Sequence, residues 1–155
     1  MSYHEKINLA VLITLVLVMV GYAGHLVPQM LSTPAAEIAY KWPMIWASVG
    51  SMVVMVAGII AVSAVEAAMT HFSDKSLSDK DIEEMMSTED ERDKSIDMLG
   101  EYRGGQFVSL VVFIALILIW VEVDMFWIAN MLFVGGWVGA LIASSVKMAA
   151  YRGVA

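Results

Sequence analysis

Uncharged, strongly apolar blocks alternate with short polar stretches along the chain. Four such blocks run over about residues 7–27, 44–66, 104–121 and 125–147. The first stops at Pro28; Glu66, Glu122 and Lys147 close the other three. Crossing roughly 30 Å of hydrocarbon takes about 20 helical residues at ~1.5 Å each. Inside a bilayer every backbone N–H and C=O must find its partner within the segment, and the alternation expected of barrel strands is missing. The pattern therefore predicts an all-α membrane protein, with four transmembrane helices in a single integral domain over 1–155. The third block is the shortest. The turn Glu122-Val123-Asp124 is so brief that the last two helices must form an antiparallel hairpin. The apolar run of the first block exceeds the usual 7–15-residue core of a secretory signal, and little positive charge precedes it, so it reads as a span.

Charge adds an orientation. With four spans, both termini and the 70–103 linker share one side, which holds Lys6, Lys75, Lys80, Arg92, Lys94, Arg103, Lys147 and Arg152, while the other side holds only Lys41. Lys and Arg collect on the cytoplasmic side, so the termini and the linker are expected in the cytoplasm. Tyr22, Tyr40, Trp42, Trp46, Trp120, Phe126 and Trp127 cluster near the outer ends of the spans, where an aromatic belt would lie. Trp137 falls midway along the fourth span and is expected between helices or among lipid tails.

Composition agrees: 155 residues, 59% hydrophobic, mean hydropathy +0.73 and no cysteine, which excludes disulfides and thiolate chemistry. The net charge of −7 is uneven, since the linker is acidic, and no basic footprint for nucleic acid is present. No Asp, Glu, Lys or Arg stands at mid-membrane depth, so the carboxylate or base of a charge-coupled pump is missing. His25 and Asn130 are the polar positions of note within spans, and for Asn130 an interhelical hydrogen bond is the expected role. The Ser and Thr hydroxyls can bond back to helix carbonyls. Neither a catalytic pair nor a cofactor or metal site is expected.

Small residues let membrane helices approach closely. Gly135, Gly139 and Ala143 recur every four residues in the fourth span, and Ala57, Ala61, Ala64 and Ala68 form a stripe on the second. Either series suits packing within the chain or a seam between copies. The bulkier first and third spans are expected to meet lipid.

In the linker, Ser78 with Asp81 and Thr88 with Glu91 offer capping-box-like helix starts, the second leading from about Glu89 toward the third span with a possible bend at Gly104-Gly105. Ile96, Leu99 and Phe107 are expected on one face. Asp79-Lys80-Asp81 opens like a calcium loop but lacks its glycine and closing glutamate. Asp90-Glu91-Arg92-Asp93, then Ile96-Asp97, Gly100 and Arg103-Gly104 directly before a span, resemble a motif of small four-span prokaryotic membrane proteins described only as a domain of unknown function. The opening six residues are similar as well. The resemblance implies the four-span fold and a prokaryotic cytoplasmic (inner) membrane, and it implies no activity.

The functional expectation is a non-enzymatic protein of the bilayer, acting as a homo-oligomer or as an accessory or regulatory subunit of another membrane protein. A small oligomeric channel or transporter is the alternative. A reporter attached at Lys75 of the protein in intact cells should stay shielded from impermeant reagents, and labelling from outside would reverse the orientation.

Overall fold

A computed structural model describes residues 3–73 and 91–153. Four long helices account for nearly all of them: α1 (Tyr3–Ser32), α2 (Lys41–Ser73), α3 (Glu91–Trp120) and α4 (Met125–Tyr151). All four are long and apolar enough to cross a membrane. A 3-10 turn over Ala35–Glu37 joins α1 to α2. The calcium-like loop, the capping pair Ser78 and Asp81, and the expected helix start at Thr88 and Glu89 lie outside the described residues.

Each helix outruns the block that predicts it. α1 continues through Pro28 to Ser32, although a stop at the proline is the expectation from sequence. Proline removes one N–H but its φ is helical, and the ladder resumes beyond it, with the Thr33 N–H donating to the Gln29 carbonyl at 2.9 Å. α3 begins well before the hydrophobic block and reaches Trp120 as one unbroken helix through Gly104-Gly105. The α3–α4 turn is closed by Asp124, whose carboxylate accepts from the Phe126 N–H at 2.8 Å and caps α4. Glu122, at φ 59°, takes the left-handed conformation that reverses the chain.

Packing follows the order α2, α1, α4, α3, and α3 against α4 is the most extensive contact. No comparable α2–α3 contact closes the row into a ring among the described residues. Ile96, Gly100, Gly104, Val111 and Ala115 are the buried residues of α3, and Gly100, Gly104 and Val111 face Gly135, Gly139 and Ala143 of α4. A Cβ on Gly104 would stand 2.5 Å from the Gly139 carbonyl oxygen, and one on Gly139 would collide with Val108. Val111 fills the space above Gly135 in the same way. The third span is thus the main packing partner of the fourth, contrary to the expectation that it chiefly meets lipid. Its bulky residues Leu110, Phe113 and Leu116 face outward while the glycine side turns in. Leu99 belongs to the outward face too, so it does not share a side with Ile96.

Tyr22, Leu26, Ile38 and Phe126 form a core at the end of the bundle opposite the termini. Tyr22, Tyr40 and Phe126 are therefore not the belt residues expected from sequence. Phe126 is 1% exposed and stacks edge-on with Tyr40 at 5.2 Å, because the interhelical joint needs flat, bulky fillers. Trp42, Trp46, Trp120 and Trp127 remain exposed.

Gly104→Ala should destabilise the protein by about 1–3 kcal/mol, because the methyl group meets backbone that cannot yield. Its neighbour Gly105 has open space around a Cβ, so Gly105→Ala should be neutral or stabilising by up to about 1 kcal/mol. Unfolding titrations in mixed micelles compare the two directly.

Candidate functional site

Three polar side chains are buried among the described residues, Asn8, Asn130 and Ser144, and none leaves an atom unsatisfied. The Asn8 side-chain amide donates to the Ser144 carbonyl at 2.8 Å, tying the start of α1 to the end of α4. Near the other end the Tyr22 hydroxyl donates to Asn130 Oδ1 at 2.6 Å, and the Asn130 amide donates to the Phe126 carbonyl at 2.8 Å. The interhelical role expected of Asn130 is the one it plays. His25 is exposed, with its ring 2.9 Å from the Gln29 amide.

Between these two ties α1, α2 and α4 enclose a cavity of about 550 Å³ that reaches the terminal end of the bundle. Its walls are Leu15 and Val11 of α1, Met52 and Met55 of α2, and Phe133 and Trp137 of α4. Trp137 lines this cavity, its ring 5.9 Å from that of Phe133 one turn earlier on the same helix. Thr14, Ser48 and Ser51 also face the cavity, but each hydroxyl donates to a carbonyl of its own helix, at 2.7–2.9 Å. Their donors are spent, so the body of the cavity behaves as apolar.

The mouth differs. The Lys147 ammonium lies 2.8 Å from Glu101 and 3.2 Å from Asp97, two carboxylates one turn apart on α3. All three line the opening together with Tyr151. Asp93, one turn earlier, hydrogen-bonds the Tyr151 hydroxyl. Beside them Arg152 faces Glu5 at 3.9 Å. The stem of Lys147 lies over Gly100, which has no side chain to block it.

These positions account for much of the linker motif. Asp93, Ile96, Asp97, Gly100 and Gly104 follow one face of α3 and meet, in antiparallel order, Tyr151, Lys147, Ala143 and Gly139 of α4. Glu91, Arg92 and Arg103 turn outward and are exposed, and Asp90 lies outside the described residues. Gly135, Gly139 and Ala143 sit in the α3–α4 seam. Ala57 and Ala61 touch no such seam: both are exposed on α2, because α2 leans on α1 by its other side. Sequence reasoning passed over Asn8 and the Lys147 cluster. The signals were present, an amide at the start of an uncharged block and two carboxylates four residues apart.

No family model, curated protein or solved structure matches the chain.

Tyr22→Phe and Asn130→Leu should each destabilise the bundle, and the double variant should lose less than the sum. A coupling of about 0.5–1.7 kcal/mol is expected for a hydrogen bond between membrane helices. Strict additivity in a double-mutant cycle would deny that bond any worth.

Proposed function

We propose that this integral membrane protein is non-enzymatic and works by assembly, with further copies of itself or as a small accessory or regulatory subunit of another membrane protein. Support comes chiefly from α2. It packs substantially against α1 alone, and no residue of its apolar window is buried within the chain. Its free side carries Ala57, Ala61, Ala64 and Ala68, all exposed. Small side chains on an outward face suit a close helix partner better than they suit lipid, which long aliphatic chains cover equally well. The Lys and Arg distribution and the likeness of the Asp90–Gly104 motif to four-span prokaryotic proteins support a prokaryotic cytoplasmic membrane, with both ends inside.

A channel or transporter would draw on the polar residues of the cavity. That cavity stops short of the core of Tyr22, Leu26, Ile38 and Phe126. A conducting path would therefore have to run between copies.

Crosslinking in native membranes tests the assembly reading. A product at a multiple of the chain mass indicates self-association, and a heavier product of mixed composition indicates a partner. Ala57→Leu with Ala61→Leu should reduce either product severalfold while leaving the monomer folded. Recovery of monomer alone would end the proposal.

A further inference from the structure

The assembly reading leaves unexplained a cavity with a charged mouth and, behind it, walls of mainly apolar side chains. We propose that this cavity binds a single-chain amphiphile with an ammonium head, its hydrocarbon body among Leu15, Met52, Met55, Phe133 and Trp137 and its head at Asp97 and Glu101.

Three observations carry the assignment. The volume, about 550 Å³, lies within the range of small-molecule sites. The Thr14, Ser48 and Ser51 hydroxyls that line the interior already donate to helix carbonyls, and Asn8 to that of Ser144. A polar body would therefore lose its own hydration and find few donors in return, whereas a hydrocarbon body loses nothing. Methionine walls also adapt to irregular apolar ligands.

Charge at the mouth selects the head. Two carboxylates share one ammonium, so the trio carries one net negative charge. The Glu101 side chain is 73% exposed and that of Asp97 48%, which leaves oxygen lone pairs open to a newcomer. Lys147, at 16%, is covered by its two partners. An anionic head would have to take Lys147 from both carboxylates and then sit beside them. An ammonium joins the pair without displacing anything. The surroundings do not reverse this balance, since Glu5 and Arg152 face each other and Asp93 adds a further carboxylate at Tyr151. Arg92, whose charge also reaches Tyr151, offsets Asp93 there, and Lys6 follows Glu5 at the start of α1, so the charge of the trio itself decides the mouth.

Such a head stands alone on free alkylammonium compounds and beyond a phosphate, in a net-neutral zwitterion, on single-chain ethanolamine lipids. The full chain in digitonin micelles, whose rigid sterol cannot follow the cavity, is titrated by calorimetry with dodecyltrimethylammonium, lysophosphatidylethanolamine and laurate, and empty micelles are subtracted. One or both ammonium compounds should bind saturably, one per chain, at least tenfold tighter than laurate. The better of the two identifies the source. Glu101→Gln keeps the Asp97–Lys147 pair and alters an exposed side chain, so it should fold normally and weaken the cation about tenfold. Ser51→Phe fills the cavity from α2 and should abolish binding. Laurate binding as tightly as the cations, Glu101→Gln without effect, or no saturable binding above empty micelles would each overturn the assignment.

Discussion

Two helix backbones come within touching distance only where no side chain stands between them, and in this protein α3 and α4 meet that condition over several turns. Gly100 and Gly104 on one helix, and Gly135 and Gly139 on the other, leave room for Lys147, Val108, Val111 and the opposing carbonyls to fill the gap. In lipid the hydrophobic effect does not press helices together, so this close packing has to supply much of the cohesion. The rest of the structure is arranged around it. With α3 held at that distance, Asp97 and Glu101 arrive at the Lys147 ammonium, and Asp93 at Tyr151.

α4 then serves as the platform for α1. Two side-chain hydrogen bonds near opposite ends, from Asn8 and to Asn130, hold the pair in register. A polar group in hydrocarbon is expensive unless partnered, and among the described residues each of the buried ones is partnered. The Thr14, Ser48 and Ser51 hydroxyls are turned back on their own helices, which keeps much of the space between the two ties apolar. The cavity is thus a product of economy in polar groups as much as of shape. α2 completes its wall, yet its own outer face keeps small residues pointed away from the chain.

Legibility from sequence follows the range of the physics involved. Exclusion of charge from stretches long enough to cross a bilayer is a local property, and all four helices could be read from it. The role of Asn130 was equally plain, because an amide in lipid needs a partner somewhere. Which partner was not plain: Tyr22 looked like a belt residue until the tertiary arrangement put it against α4. The two small-residue stripes were indistinguishable as patterns. One lies in the α3–α4 seam and the other on an open face, and spacing carries no information about what stands opposite.

What the amino acids determine alone is the number of helices able to cross a bilayer, the stretches apolar enough to do so and the brevity of the last hairpin, because each follows from backbone satisfaction and hydropathy within a segment. Only the tertiary structure decides that α3 rather than α2 is the close neighbour of α4, and that Asp97, Glu101 and Lys147 converge on one cavity mouth. Those outcomes depend on surfaces that are far apart in the chain and complementary only once folded.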